Sequence, residues 1–235
     1  MTAPSVPGPS AARWRVRHQT GSASALFRDD PLAASVERSI TVRRVNGPTV
    51  VLGSAQHDTV VDAGRASTAG VAVVRRRSGG GAVWLDPSSI TWLDITIPAS
   101  DPLWEPDVGR AFWWVGDAWS AALAAIGVGG ARVHRGGLRS TPWSRTVCFA
   151  SLGPGEVHQG DAKIVGIAQR RTRAGALFQC GVLHRWDPGP LLHVLALTDD
   201  ERAHSGTALR AAGSGVSSDG LLEQFLATLD EPTTP

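Results

Sequence analysis

The sequence predicts a mixed α+β fold in which helices cover a central, largely antiparallel sheet. Residues 90–97 alternate apolar and polar side chains, which is typical of a half-buried strand. Asn46-Gly47 lies between two apolar runs and predicts a tight turn that joins antiparallel strands. Residues 107–126 repeat apolar side chains at spacings of three and four, which predicts a helix with one buried face.

Four strands and two helices are expected before residue 100. Apolar runs predict strands at 40–45, 49–52, 71–74 and 90–97. A helix is predicted over 23–39, with an irregularity at Pro31 because proline cannot donate a backbone hydrogen bond. A second helix is predicted over 58–69, where Asp58 is a suitable N-cap.

The rest of the chain continues this mixture. Further strands are predicted at 132–135, 146–150, 163–171 and 177–184, and further helices at 107–126, 189–197 and 217–229. No repeat and no internal linker is found, so residues 13–230 are expected to form a single domain. Residues 1–12 and 231–235 are expected to be disordered tails.

The composition argues against several classes of function. A net charge of +2 is too small to favour a nucleic-acid partner. The two cysteines do not make a disulfide framework, so a reducing cytoplasm is expected. The first ten residues lack the charged start and apolar run of a signal peptide. No apolar stretch approaches the ~18 residues that cross a membrane, so no membrane partner is expected.

Lys163 is the only lysine among the 23 lysine and arginine residues of the chain. Tyrosine is absent and Asn46 is the only asparagine, which indicates codon usage that disfavours these residues. Lysine is a compact charge whose donors can converge on one oxygen, whereas arginine is a wide planar fork. Because this codon usage disfavours lysine, Lys163 is interpreted as a residue that arginine could not replace, one that binds a carbonyl or phosphate oxygen. The alternative is a surface lysine that has not been replaced by arginine.

Three consecutive glycines, at 79–81, follow the predicted strand 71–74. Glycine admits positive φ and allows another molecule to approach the main chain closely. Exposed N–H groups in such a turn form an anion-binding concavity, and Arg76 beside it adds a phosphate donor. The alternative is a plain hairpin turn with an arginine-rich edge. Neither a Walker A loop nor a dinucleotide fingerprint is present, because the required spacings are missing.

Two segments together resemble the lipoate-protein ligase and octanoyltransferase family, which shares its catalytic fold with biotin-protein ligases. The first reads Arg-Arg-x-Ser-Gly-Gly-Gly-Ala-Val-x-x-Asp from Arg75, and the second reads Asp-x-Lys-Ile-x-Gly-x-Ala-Gln-Arg-Arg from Asp161. The resemblance covers about residues 40–187. It implies a biotin/lipoate ligase-like catalytic domain in which the glycine segment surrounds an acyl-adenylate or acyl chain and Lys163 holds its carbonyl and phosphate oxygens. The positions that match the family's binding segment are Arg76, Ser78, Gly79, Gly80, Gly81, Ala82, Val83 and Trp84.

The chain departs from the family pattern at three places. Leu85 stands where the family usually has a histidine, just before the aspartate of the first segment. Cys180 stands in place of the histidine in the Gln-His-Gly that usually follows the lysine strand. The Asn-Asp pair that many ligases carry before the lysine is missing from 145–149. The changes at Leu85 and Cys180 motivate a further alternative, a relative that binds a ligand or a lipoyl domain without turnover. Cys180 itself is interpreted as a packing residue.

Cys148 has two interpretations. Cysteine packs well as a small buried hydrophobe in a strand. A Cys-Phe fifteen residues before the lysine also resembles the cysteine-dependent octanoyl and amido transferases, which implies that Cys148 carries the acyl group as a thioester. Lys163 could supply the positive neighbour that a thiolate needs. His57, His158 and His184 are interpreted as surface or strand residues, and no structural metal site is expected.

The resemblance implies attachment of a lipoyl or octanoyl group to a lysine of a lipoyl-carrier domain, as in 2-oxoacid dehydrogenase or glycine cleavage proteins. In the ligase route, which we prefer because all three glycines are present, ATP with Mg²⁺ and the free acid give an acyl-adenylate. In the transferase route, a thioester donor passes the acyl group to Cys148. Both routes need an apolar tunnel, where each buried methylene contributes roughly 0.8 kcal/mol. Many ligases carry a small extra adenylation domain, for which no room is expected after Asp187. It is expected either as a separate accessory domain or to be absent because the enzyme does not adenylate.

Overall fold

The computed structural model describes residues 14–33, 37–216 and 218–230. The strands are β1 (Arg15–Gly21), β2 (Ser39–Val45), β3 (Thr49–Leu52), β4 (Ala72–Arg75), β5 (Val83–Leu85), β6 (Ile90–Pro98), β7 (Ala131–Val133), β8 (Val157–Gln159), β9 (Ala162–Thr172) and β10 (Gly175–Leu183). The helices are α1 (Ala23–Leu26), α2 (Ala63–Thr68), α3 (Trp113–Ala125), α4 (Gly189–Val194), α5 (Asp199–Ala208) and α6 (Ser218–Asp230). The segments 1–12 and 231–235, expected to be disordered tails, lie outside the described residues.

The strands form two sheets, and this confirms the predicted fold class. Seven strands make the large sheet in the order β1-β2-β6-β10-β9-β8-β7, and three make the small sheet in the order β4-β3-β5. Within the large sheet only the β1–β2 pair is parallel, and the pairs of β6, β9 and β10 are antiparallel with long continuous registers. No helix of the described residues is long and apolar enough to cross a membrane.

The central strands of the large sheet are buried on both faces. Helices α3 and α6 pack on one face, where Trp119 stacks on Phe225 at 3.8 Å between ring centroids. The small sheet and α1 cover the other face, around Trp92 and Phe149. The strand predicted at 90–97 is present as β6, but the prediction that it is half-buried is wrong, because every residue of β6 is buried. Its polar side chains are paired instead of solvated, as Asp94 shows by binding Arg43 at 2.6 Å.

The predicted helix over 23–39 is wrong beyond its first turn. Among the described residues of this range, 23–33 and 37–39, only α1 is helical, capped by the Ser22 side chain, and β2 already begins at Ser39. Asp30 accepts a hydrogen bond from the backbone N–H of Leu32, and Pro31 between them supplies no N–H to a helix. Side-chain and proline chemistry thus ends the helix before residue 30.

The predicted hairpin at Asn46-Gly47 is also wrong, because β2 and β3 lie in different sheets. The tight hairpin turn typical of Asn-Gly needs positive φ at both central residues, and neither Asn46 nor Gly47 has one. Asn46 instead donates its backbone N–H to the carbonyl of Gly21, so the segment between β2 and β3 is hydrogen-bonded to the end of β1. The turn carries the chain from one sheet to the next.

Two further elements differ from their predictions. The helix predicted over 58–69 is a 3-10 turn at Asp58–Val60 followed by α2, and the N-cap of α2 is Asp62 rather than Asp58. The strand predicted over 146–150 is a 3-10 turn at Cys148–Ala150. Cys148 is therefore the first residue of a turn and not a residue within a strand.

Four elements were not predicted, namely β1, β5, β8 and α5. Strand β1 has no buried apolar side to recognise, and β5 and β8 are only three residues long. Helix α5 carries a capping box in which Thr198 and Glu201 exchange hydrogen bonds, and this Thr-x-x-Glu spacing was a usable signal. The helix predicted over 107–126 begins only at Trp113, after a 3-10 turn at Arg110–Phe112. The remaining predicted strands and helices are confirmed with shifts of up to three residues at their ends.

Candidate functional site

The glycine loop joins β4 to β5 and folds back on the side chain of Arg76. This guanidinium is 2% exposed and donates to the carbonyl of Gly79 at 2.6 Å and to that of Val51 at 3.2 Å. Gly80 has a φ of 98°, and a Cβ there would lie 2.8 Å from Nη2 of Arg76. Arg76 and Gly80 therefore fix the loop together, since a side chain at Gly80 would both strain the backbone and strike the guanidinium.

The loop also lies directly against the segment that carries Cys148. A Cβ on Gly81 would lie 2.6 Å from the carbonyl carbon of Val147, so only glycine permits this approach. Ala82 donates to the carbonyl of Thr146 at 2.8 Å and accepts from the N–H of Cys148 at 2.9 Å. These backbone bonds bring the Cys148 side chain beside the glycines.

A buried polar network ties the loop to the large sheet. Ser78 is fully buried and donates both its N–H and its hydroxyl to the side-chain carbonyl of Gln179, at 3.1 and 2.8 Å. Gln179 in turn donates to Asp94 at 3.0 Å. Asp94 also accepts from Trp92 and Arg43, so the network continues across the sheet. Sequence reasoning missed Gln179, since nothing local shows that it reaches Ser78.

Lys163 lies on β9 and is 2% exposed, which excludes the alternative of a surface lysine. Its ammonium donates to the backbone carbonyl of Cys148 at 2.6 Å and to both carboxylate oxygens of Glu156 at 3.0 Å. The ammonium also lies 5.1 Å from the ring centre of Phe149. Among the described residues the Cys148 thiol is not one of its hydrogen-bond partners; Lys163 binds the main chain of that residue.

Glu156 is the counter-ion of Lys163 and was missed by sequence reasoning. It is 5% exposed, and its two oxygens also accept the backbone N–H groups of Ile167 and Gly153, at 3.0 and 2.6 Å. A buried lysine needs an anionic partner, because an unpaired buried charge is strongly unfavourable. That requirement was the available signal, since Glu156 is one of two acidic residues within ten positions of Lys163.

These groups converge on one cleft with a volume of about 230 Å³. The residues that line it are Gly79, Gly80, Gly81, Phe112, Leu138, Cys148, Ser151, Gly153, Pro154, Glu156, Lys163, Ile167, Ala168 and Gln169. Cys148 also borders an inner cavity of about 10 Å³, together with Arg76, Val83 and Phe149. The thiol thus stands where the cleft passes into the interior.

The electrostatics of the site follow from burial. Burial lowers the pKa of the Arg76 guanidinium, and the nearby Cys148 and Glu156 act in the opposite direction.

No three His, Cys, Asp or Glu side chains of the described residues cluster to hold a metal ion. Glu156 is the only carboxylate among the described residues that line the cleft, and both its oxygens are engaged. The protein groups of this cleft therefore do not fit a dedicated Mg²⁺ site.

The structure places the sequence-predicted site residues in four locations. Those brought together at the cleft or directly beneath it are Arg76, Ser78, Gly79, Gly80, Gly81, Cys148 and Lys163. Val83 borders the inner cavity. Ala82 packs in a core behind the loop, and Trp84 lines a separate surface pocket with Trp186 and Asp187.

The remaining candidates lie away from the cleft. Leu85 is 2% exposed in the core beneath the small sheet, and Cys180 is fully buried beside α3. His57 is exposed, His158 binds the carbonyl of Gly160, and His184 binds the Thr91 hydroxyl. None of these side chains lines the cleft.

The two thiols are expected to differ sharply in reactivity. Burial raises the pKa of Cys180 to about 12, so this thiol stays neutral and inaccessible. Cys148 is partly exposed at the cleft. An alkylating reagent at mildly alkaline pH should therefore add one label to the folded protein and two to the unfolded protein, measured by intact mass. The folded Cys148→Ala variant should take none, and a label on Cys180 in the folded state would contradict this assignment.

The comparisons with known proteins agree with this architecture. Residues 29–219 match the model of the lipoyl protein ligase A/B catalytic domain family. A bi-partite lipoate-protein ligase from Thermoplasma acidophilum has a similar structure at 18% identity and a TM-score of 0.69, over 92% of this chain and 82% of that one. A lipoate-protein ligase A bound with ATP gives 20% identity and a TM-score of 0.67, over 92% and 83%.

A T. acidophilum protein with bound lipoic acid is similar at 20% identity and a TM-score of 0.65, over 92% of this chain and 83% of that one. No match was found among curated protein sequences. At these identities the solved structures establish the fold, and the family model establishes the membership. The chain belongs to the lipoyl protein ligase A/B catalytic domain family of enzymes.

Proposed function

We propose that this protein is a lipoate-protein ligase that joins a lipoyl or octanoyl group to a lysine of a lipoyl-carrier domain through an acyl-adenylate. The observation that carries the proposal is the buried ammonium of Lys163, held by Glu156 in the cleft that the three glycines line. The ATP-bound and lipoic acid-bound proteins of the same fold support these two substrates. The T. acidophilum ligase described with its E2 lipoyl domain supports a lipoyl domain as the acceptor.

The reaction has two steps. In the first, a carboxylate oxygen of the acid attacks the α-phosphorus of ATP, so that pyrophosphate leaves and the acyl-adenylate forms. In the second, the amine of the carrier lysine attacks the acyl carbonyl, AMP leaves with the bonding electron pair, and the amine loses a proton. Negative charge develops on the carbonyl oxygen during the second step, and a preorganised donor there lowers the barrier.

Lys163 is suited to supply that donor. Its ammonium already faces three oxygens, one from Cys148 and two from Glu156. A substrate oxygen that replaced one of them would meet a donor already in place, because lysine can redirect its N–H groups without moving its stem. The backbone around Gly80 offers a second, anion-binding surface in the same cleft.

The metal that accompanies ATP is assigned to the nucleotide rather than to the protein. Mg²⁺ is commonly held by one or two carboxylates together with substrate phosphates. Among the described residues that line the cleft the only carboxylate is Glu156, and its oxygens are occupied by Lys163. The bi-partite organisation of the T. acidophilum ligase supports a separate accessory domain for this chain as well.

A second candidate is a cysteine-dependent octanoyl or lipoyl transferase. The observation that favours it is the position of Cys148 between the cleft and the inner cavity, where an acyl carbonyl could meet the thiol. The thiolate would attack the carbonyl of a thioester donor and expel the donor thiol. The carrier lysine would then attack the new thioester and release Cys148.

The Cys148→Ala variant separates the two routes. Under the proposed ligase route it should keep most of the ATP-dependent rate, because no enzyme thiol takes part and the loss is confined to packing. Lipoylation of a lipoyl domain with lipoate and ATP, followed by intact mass, measures this. Loss of that activity, together with an octanoyl adduct on the wild type that hydroxylamine removes, would replace the ligase route with the transferase route.

A further inference from the structure

Trp92 borders two cavities. The first is the inner cavity beside Cys148. The second, called here the outer pocket, has a volume of about 220 Å³. The outer pocket is lined mainly by residues of β1, β2, β6 and α6, among them Arg43, Trp92 and Leu222. Among the described residues, Trp92 alone borders both cavities.

The register of the large sheet explains this arrangement. Arg43, Trp92, Gly181 and Gly166 are direct partners across β2, β6, β10 and β9, so they form one row. The two glycines leave a groove on the sheet at the Cys148 end of the row, since they have no side chains. Trp92 fills the next position, and Arg43 beyond it borders the outer pocket.

Trp92 is held firmly in this position. It is 2% exposed, and its indole N–H donates to Asp94 at 3.0 Å. Its ring meets that of Phe27 edge-on, at 5.5 Å between centroids. Asp94 is fixed in turn by Arg43 and Gln179. A side chain restrained on both its polar and its apolar side makes a rigid wall.

We propose that Trp92 sets the upper limit on the length of the acyl chain that this protein accepts. The proposal rests on the proposed function, which places the acyl carbonyl at Lys163 and directs the chain past Cys148 into the inner cavity. At about 10 Å³ that cavity is too small for a medium chain, so a bound chain must displace a neighbour. The ring of Phe149 lies over Gly166 and Gly181 and is held by ring contacts with the Lys163 ammonium and Trp186 rather than by a hydrogen bond. Trp92 is hydrogen-bonded to Asp94, so in this proposal the chain displaces Phe149 and stops at Trp92.

The Trp92→Ala variant should therefore join the inner cavity to the outer pocket. Longer chains would gain room for their last methylenes, and each buried methylene is worth about fourfold in affinity. Equilibrium binding of octanoate, dodecanoate and hexadecanoate is measured by calorimetry on both proteins. The wild type should prefer octanoate, and the variant should bind dodecanoate at least ~10-fold more tightly relative to octanoate than the wild type does.

Two matched variants complete the experiment. Leu222→Ala enlarges the outer pocket without breaching the wall, so it should keep the wild-type length profile. Trp92→Leu is used if Trp92→Ala fails to fold, and it should give an intermediate profile. An unchanged profile in a folded Trp92 variant would overturn the inference. Transfer of each chain to a lipoyl domain is followed by intact mass in parallel, so that a failure of the proposed function is seen separately, as a wild type that binds acids but transfers none.

Discussion

The Lys163→Arg variant is expected to lose acyl transfer almost completely while the protein stays folded. The positive charge is kept, so Glu156 retains a counter-ion. The ammonium of Lys163 contacts three oxygens at 2.6–3.0 Å within a site that is 2% exposed. The rigid, planar guanidinium is too wide to turn its donors onto these oxygens, or onto a substrate oxygen that replaces one of them.

The expected loss is about 2.7–4 kcal/mol of transition-state stabilisation, which is roughly 10²–10³ in rate. The larger side chain should also lower stability, by about 1–3 kcal/mol, because the site is closely packed. Transfer rate and melting temperature are measured together, with Arg132→Lys as an exposed control that should change neither. A folded Lys163→Arg protein that keeps more than about a tenth of the rate would show that Lys163 does not hold the reacting oxygen.

The Gly80→Val variant should lose ligand binding to a larger extent than it loses stability. Gly80 has a φ of 98°, and its Cβ would lie 2.8 Å from the Arg76 guanidinium. Conformational strain of this kind costs on the order of 1–3 kcal/mol. Because Arg76 also binds the carbonyl of Gly79, the collision would displace the whole loop that faces Lys163.

Equilibrium binding of a non-hydrolysable acyl-adenylate analogue measures the effect on the loop. Gly47→Val is the matched control, because a Cβ added at Gly47 would meet no atom within 4 Å and the residue has no positive φ. The control should bind the analogue as the wild type does. If Gly80→Val binds the analogue as tightly as the wild type, the three glycines form a plain turn and do not bind the ligand.

The sequence predicted those parts of the site that are marked by residue identity. Lys163 was recognisable because it is the only lysine, and the loop was recognisable because consecutive glycines are rare without a backbone reason. Glu156 and Gln179 were missed, because their roles depend on which strands become neighbours. The pairing of β9 with β8 brings Glu156 towards Lys163, and the path of the loop brings Ser78 to Gln179.

The fold shows the same division. Strands β9 and β10 were predicted because apolar patterns mark buried strands, whereas β1 is exposed along almost its whole length and carries no such pattern. The connection at Asn46-Gly47 was misread because a local turn signal does not show that Thr49 begins a strand of another sheet. Long-range sheet order, rather than local propensity, decided these cases.

The proposed activity is ATP-dependent attachment of an acyl group to a carrier lysine, with Lys163 at the reacting oxygen. The most direct measurement is the intact mass of a lipoyl domain after incubation with this protein, lipoate and ATP. We expect one added lipoyl group, formed together with AMP, with the wild type and almost none with Lys163→Arg. A lipoyl domain that gains no mass with the wild type, under conditions where lipoate and ATP both bind, would contradict the proposed activity.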